Sequence, residues 1–371
     1  MLKIDWREGP EYPMGIQEPA MGVIGGHVVA AGGFTRSPKD VARRYPDAFG
    51  GEPSGFTSLG FALDLADQAA GWIRLPDIPG PPRQGAAHAV LDGVLYAVGG
   101  FSYTAPLTYR ETYRLRRQDG QWVWDELPCL LPFPVCEASA VAIGRRLYVC
   151  CAADYFAAPG AANADFHTEL GSRGNPVGRA LFMLDTAAPD AGWVRLADLP
   201  GTPRLNAGVA AAGGRLYVLG GIYAPLQPGP GEPPYYNVVD SWVYDPATDA
   251  WTQLTDMPHG ANRRALTYAD RYLILVAGYR YRRTWNLDGT VSEVHSPEEQ
   301  ARDWKTFFET TVLVYDAVTG ELGTADPLLD QTSWPTAVVD GDTIYCLGGE
   351  GGSRLWHPAT LQVGKITSPR P

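Results

Sequence analysis

Six residues stand at one level of an internal repeat: Glu18, Gly85, Glu137, Asn206, Arg263 and Trp334, each fourteen residues ahead of a recurrent strand ending. One position earlier come Gln17, Gln84, Cys136, Leu205, Asn262 and Ser333. A level that only packs would repeat one residue type, whereas this one mixes acids, an amide, a base, an indole and a glycine. Carboxyls brought together under burial acquire raised pKa values and move protons near neutral pH. Glu18 and Glu137 are therefore candidate acid–base groups, and Arg263 is a candidate bidentate clamp for an anionic substrate. Gln17, Gln84, Asn206 and Asn262 would supply hydrogen bonds, and Trp334 a flat face. The plainer alternative, that these groups satisfy loop backbone around a solvated pore, stays open.

A second level follows the strand endings: Phe34, Phe101, Ala153, Ile222, Tyr279 and Glu350, with Arg36, Tyr103, Tyr155, Ala224, Tyr281 and Gly352 two residues farther on. Aromatic rings at one level can wall a pocket for sugar rings, so Tyr103, Tyr155 and Tyr279 are candidate binding residues. Arg36, Arg280 and Asp154 would meet hydroxyls or a carboxylate, and Glu350 joins the acid–base candidates. Alternatively the rings plug loops against the core. Metal chemistry has a weaker footing. Asp165-Phe166-His167-Thr168-Glu169 alternates three ligand types on a loop, where such triplets arise by chance, and His259, His295 and His357 are dispersed. His88 falls in a strand of small residues and reads as a satisfied core histidine. The sequence contains no P-loop, dinucleotide fingerprint or nucleophile elbow, and neither cofactor nor metal is expected.

What must position these residues is the repeat itself. Its second strand ends VVAAGG (28–33), LYAVGG (95–100), LYVCCA (147–152), LYVLGG (216–221), LILVAG (273–278) and IYCLGG (344–349). Third strands follow as GFALD (60–64), TYRLR (112–116), LFMLD (181–185), SWVYD (241–245), VLVYD (312–316) and SRLWH (353–357), with the alternation of half-buried strands. A fourth strand opens on Trp and closes on Pro seven residues later, as at Trp6, Trp72, Trp193 and Trp251, with a looser version from Trp124 to Pro132. Such a unit cannot bury both faces alone, and six of them in a ring can. The expected fold is all-β: one domain over residues 1–371, a six-bladed β-propeller of four-stranded antiparallel blades closed by the terminal strands. Residues 4–8 are favoured as the closing strand with 361–367 beside them, the reverse arrangement being the alternative. Long loops at 34–57, 101–109, 153–177, 222–238 and 279–308 would gather on one face, and long ordered loops carry function.

A net charge of −11 gives no basic face for nucleic acid and no attraction to an acidic membrane surface. The opening MLKIDWREGPEYP has no apolar signal region, and the five cysteines, including the adjacent Cys150 and Cys151, do not look like a disulfide framework. A cytoplasmic, reduced protein is expected, unless a signal peptide has been trimmed.

WIRLPDIPGPPRQGAAHAVLDGVLYAVGGF (72–101), WVRLADLPGTPRLNAGVAAAGGRLYVLGG (193–221) and the final GGE (348–350) resemble the kelch repeats of bacterial N-acetylneuraminate epimerases, the sialic acid mutarotases. The resemblance runs through most of the chain at repeat level. It implies a six-bladed kelch propeller interconverting sugar anomers without cofactor, with a Glu for acid–base work and an Arg for the substrate carboxylate. In that family the Glu follows the glycine of the fourth blade, where this chain has Ile222 and Tyr223; Glu350 and Arg354 form a Glu–Arg pair in the sixth.

A mutarotase- or epimerase-type isomerase acting on a neutral or acidic sugar is the favoured expectation, with Glu137 or Glu18 moving the proton and Arg263 orienting the substrate. The same face could instead bind a glycan or protein without turnover, or host a metal-assisted sugar lyase or hydrolase.

Overall fold

The computed structural model describes residues 2–46, 55–103, 106–156, 165–167, 177–225, 235–260, 262, 264–293, 307–351 and 358–367. Six antiparallel blades stand in a ring, each stepping outward from an inner strand. Blade 1 is Ala20–Ile24, His27–Ala31, Gly60–Asp64 and Trp72–Leu75, and blade 2 is Ala87–Leu91, Val94–Val98, Thr112–Gln118 and Gln121–Glu126. Blade 3 is Ser139–Ile143, Arg146–Cys150, Leu181–Asp185 and Val194–Arg195; blade 4 is Gly208–Ala212, Arg215–Tyr223, Tyr236–Asp245 and Ala250–Leu254. Blade 5 is Arg264–Tyr268, Tyr272–Val276, Val312–Asp316 and Leu322–Ala325. Inner strands are crowded about the axis, which is why they are built from small residues: a Cβ on Gly208 would sit 2.8 Å from a methyl of Leu275 in the next blade.

Blade 6 joins the two ends of the chain. Thr336–Asp340 and Thr343–Leu347 are followed by Leu361–Thr367 as third strand, and Lys3–Glu8 pairs outside it with Ile4 opposite Ile366 and Trp6 opposite Gly364. The N-terminal strand therefore closes the ring. The third-strand slot expected for 353–357 is filled by 361–367, and 353–357 themselves lie outside the described residues. Gly364 is required here, because a Cβ would come within 2.8 Å of the Trp6 ring.

Apolar residues fill the wedges between blades. Val98, Leu147, Val149 and Phe182 pack between blades 2 and 3, and Ile16, Val28, Phe61, Leu347 and Leu361 between blades 6 and 1. The outer-strand tryptophans add a polar staple. The indole N–H of Trp72 donates to Pro10 O (3.1 Å), Trp124 to Pro76 O (3.1 Å), Trp251 to Ala197 O (2.8 Å) and Trp6 to Asp326 O (3.0 Å), each reaching the turn after the preceding blade's outer strand. Trp193 is the exception, its buried indole N–H having no partner among the described residues. Two buried arginines brace the loop-face ends of blades 2 and 4. Arg83 donates to Gly99 O and lies 4.2 Å from the Tyr109 ring, while Arg204 donates to Gly220 O and Asp240 O and pairs with the Asp240 carboxylate.

The long loops carry secondary structure that their sequences conceal. A helix spans Pro38–Arg44, Asp154–Phe156 pairs with Asp165–His167, and Arg283–Trp285 pairs with Val291–Glu293. That last hairpin belongs to blade 5 but docks on blade 4, Thr284 lying parallel to Asn237. The fully buried Asn237 clamps it, donating to Tyr281 O (2.7 Å) and accepting from Tyr281 N–H (2.9 Å).

Candidate functional site

The first residue of each strand-ending pair has a left-handed backbone: Gly32, Gly99, Cys151, Gly220, Ala277 and Gly348 all lie at φ between 56° and 74°. Fourteen residues earlier the same backbone recurs. Glu18, Gly85, Glu137, Asn206 and Trp334 have φ of 47° to 62°, and Arg263 lies outside the described residues. This level therefore does repeat, in conformation rather than in side chain. Its backbone forms part of a belt around the axis: Gly85 N–H points to Glu18 O (3.4 Å), Glu137 N–H donates to Gly85 O (2.8 Å), and Asn206 N–H to Glu137 O (3.0 Å). Glycine is the easiest residue in this conformation, and a left-handed non-glycine residue costs about 1–2 kcal/mol. Two of these positions are held by glutamates, Glu18 and Glu137, in place of the glycine found at Gly85.

The two sequence levels are joined through the preceding residue. Gln17 bridges Phe34, Gln84 bridges Phe101, Cys136 bridges Ala153, Leu205 bridges Ile222 and Ser333 bridges Glu350. Above the belt opens a cavity of about 290 Å³. Glu137 and Asn206 lie on its floor, with Gln17, Gln84, Leu205 and Ile222 around them, while Phe34, Phe101, Tyr103, Tyr235, Tyr281 and Trp334 form the wall and Arg36 and Glu350 approach each other to 3.7 Å. Below the belt the inner strands enclose a channel of about 490 Å³ lined among others by His88 and Arg264.

Between these spaces is a buried polar network. Glu18, 2% exposed, accepts from Gln84 Nε2 at 2.9 Å and from the Arg264 guanidinium at 3.0 Å. Glu137, 6% exposed, accepts a hydrogen bond from Asn206 Nδ2, and the Oδ1 of Asn206 is buried without a partner among the described residues. Burial first, then the charge of Glu18 and a hydrogen bond with it, push the Glu137 carboxyl well above the ordinary carboxylate range, with Asn206 and Arg264 opposing. The protonated form of Glu137 therefore persists to higher pH than that of an ordinary carboxyl. Tyr235 is pushed up to about 12 by burial and then by Glu137, so its phenol stays a donor.

Of the sequence candidates, the cavity brings together Gln17, Arg36, Gln84, Tyr103, Glu137, Asn206, Trp334 and Glu350, with Glu18 just beneath. Others stand apart. Asn262 bonds Ser333 Oγ (2.9 Å) and accepts from Tyr279 N–H (2.6 Å), which makes it a loop anchor. Tyr279 packs edge-on against Phe308 and against the wall residue Tyr281, each at 4.9 Å, so it stands behind the wall, and Arg280 faces Glu309 at 3.4 Å. Asp154 is buried beside Cys136 rather than in the cavity, and Tyr155 lies opposite Phe166 in the small hairpin. His88 lines the channel, in place of the core position expected of it. Asp165 and His167 share a three-residue strand, Glu169 and Arg354 lie outside the described residues, and no group of three metal-ligating side chains occurs among the described residues.

Two contributors escaped the sequence reading. Arg264 supplies the described guanidinium of the network, and its signal was present: the equivalent positions are Pro19, Ala86, Ala138, Ala207 and Pro335, all small or cyclic. Tyr235 follows a Pro/Gly run and aligns with no repeat position.

The chain is a six-bladed propeller of four-stranded antiparallel blades that carries a kelch motif, matched over residues 203–258. It is similar to the kelch-like protein terF of Aspergillus terreus, with 35% identity over 118 residues, 31% of this chain and 24% of that protein. It is also similar to the N-acetylneuraminate epimerases of Yersinia enterocolitica (32% identity, 32% of this chain and 29% of the relative) and Brucella suis (25% identity, 59% and 54%). These matches span between about a quarter and about half the length of the relatives. The solved structure of YjhT superposes with a TM-score of 0.63 over 97% of this chain and 98% of that one at 15% identity, a likeness of fold.

Proposed function

We propose that the cavity is the active site of a cofactor-free sugar mutarotase. The observation that carries this reading is a buried carboxyl, Glu137, bonded by Asn206 in the lining of an aromatic-walled cavity whose other carboxylate, Glu350, stands beside Arg36. The resemblance to proteins named N-acetylneuraminate epimerase supports a small sugar as substrate.

Opening a cyclic hemiacetal requires a proton on the ring oxygen and removal of the proton from the anomeric hydroxyl. Glu137 gives its proton to the ring oxygen as the bond from that oxygen to the anomeric carbon breaks. Glu350 takes the hydroxyl proton, and a carbonyl forms. Rotation about the adjacent carbon–carbon bond presents the other carbonyl face. The ring oxygen then returns its proton to Glu137 as it attacks, and Glu350 protonates the new hydroxyl. Nothing is oxidised, and both carboxyls end as they began. Asn206 orients Glu137 and offers its Oδ1 to a substrate N–H or O–H, the aromatic wall stacks on the ring, and Arg36 meets a carboxylate at the rim.

Exchange NMR of freshly dissolved sugar anomers tests this. Catalytic protein should speed anomerisation of N-acetylneuraminic acid or a neutral hexose, and Glu137→Gln should lower that rate about 10²–10³-fold while folding normally. Folded wild-type protein that retains sugar without accelerating its anomerisation would instead mark a binding module.

A further inference from the structure

Glu137 has a carboxyl neighbour, and two like groups in one buried site share protons rather than ionising independently. Which of them keeps the proton is a matter of what surrounds each. Glu18 receives two charged or polar donors, the Arg264 guanidinium at 3.0 Å on one oxygen and Gln84 Nε2 at 2.9 Å on the other. Glu137 receives the neutral Asn206 carboxamide. The donors come from three different blades: Gln84 precedes the inner strand of blade 2, Asn206 that of blade 4, and Arg264 opens that of blade 5. Arg264 is itself fixed, donating also to Pro335 O at 3.1 Å, and it lines the channel on the far side of the belt from the sugar cavity.

We infer that Arg264 is a positioning residue for the acid: by pairing with Glu18 it keeps the negative charge on Glu18 and leaves the shared proton on Glu137, where the cavity can use it. This rests on Glu137 being the proton donor of the proposed reaction. Other groups face the pair without competing for this role. His88 sits on the channel side, where burial and then Arg264 hold its imidazole down to about 4, so it is uncharged at neutral pH. Cys136 and Tyr235 are raised by burial and then by Glu137, and Tyr281 by burial and then by Tyr235 and Tyr279, so they remain neutral donors. Arg264 thus reaches the chemistry through Glu18, from the channel side of the belt.

Carboxyl-carbon NMR of protein labelled with ¹³C at the glutamate side chains reads this directly and needs no sugar. The Glu18 and Glu137 signals are assigned with the Glu18→Gln and Glu137→Gln variants. At pH 7 the wild type should show Glu137 at a protonated shift and Glu18 at an ionised one. Arg264→Gln should draw the two shifts toward each other, and Arg264→Lys should restore most of the separation. Glu18→Gln, which keeps the shape while removing the charge, should lower the Glu137 midpoint by about 1 pH unit or more. Shifts unmoved by Arg264→Gln, or a Glu137 midpoint unmoved in Glu18→Gln, would overturn the inference. If Arg264→Gln does not fold, the Lys and Glu18→Gln variants decide. Failure of the mutarotase reading would look different: anomerisation uncatalysed, with the separation of the carboxyl signals intact.

Discussion

Asn206 and Glu137 come from neighbouring blades, yet they are tied twice: the Asn206 backbone N–H donates to Glu137 O, and its side-chain N–H donates to the Glu137 carboxyl. The double tie sets the acid against its neighbour rather than against its own strand, so the geometry of the site is a property of the closed ring. Several measurable consequences come from this arrangement and from the scaffold around it.

The raised pKa of Glu137 gives stability a sign. Between the ordinary carboxylate range and its elevated folded value, the folded chain holds a proton that the unfolded chain has released. Stability therefore falls as pH rises through that window. Glu137→Gln has no charge to bury, so its melting temperature relative to wild type should climb between pH 5 and pH 8. Parallel wild-type and variant curves would contradict this.

His88 acts on the acid side with the opposite sense. Its folded pKa of about 4 lies below the ordinary 6.5, so the unfolded chain takes up a proton that the folded chain refuses. That contribution is whole above about 6.5 and is lost as pH falls toward 4. Thermal melts of His88→Gln should show a shallower loss of stability across this interval than wild type.

The tryptophan staples differ in a way that paired substitutions expose. Trp251→Phe forfeits a hydrogen bond to Ala197 O and should cost about 1 kcal/mol beyond the loss of ring area. Trp193→Phe removes an indole N–H that is buried and unpartnered, so its cost should be smaller. Urea titrations of the two single variants provide the comparison.

Arg204 is fully buried against Asp240, whose carboxylate also accepts from the Trp242 indole at 2.6 Å. Arg204→Met strands a buried charge and should destabilise by about 3–5 kcal/mol, while Arg204→Met with Asp240→Leu should recover much of that. A double variant no more stable than the single would show that the arginine's bonds to Gly220 O and Thr202 O matter more than the pair.

The framework was legible because each blade must bury the same faces. The strand endings from VVAAGG to IYCLGG repeat since each needs the same apolar alternation and the same left-handed residue. Blade 6 was the hard case: residues 353–357 and 361–367 both alternate, and the pairing of 361–367 with Thr343–Leu347 on one side and Lys3–Glu8 on the other decides the slot. At the site, Glu18, Glu137 and Asn206 stood out by their variety, and only Gly85 and Asn206 carry a trace of the shared left-handed backbone beneath it. Arg264 was obscured by its neighbour Arg263, and Tyr279 and Asn262 shared a level with cavity residues while turning to anchor loops. Repeat alignment finds the level of a residue along the axis, and side-chain packing decides which way it faces.

The pairing of Lys3–Glu8 with Leu361–Thr367 bears on how the chain is made as well as on how it stands. Lys3–Glu8 leaves the ribosome more than three hundred residues ahead of the strand it pairs with. Until residues 361–367 emerge, the growing polypeptide carries an unmatched Trp6-bearing segment, and the circle stays open. A nascent chain stalled before residue 361 should therefore remain protease-sensitive over residues 3–8 even where blades 1 to 5 have already formed.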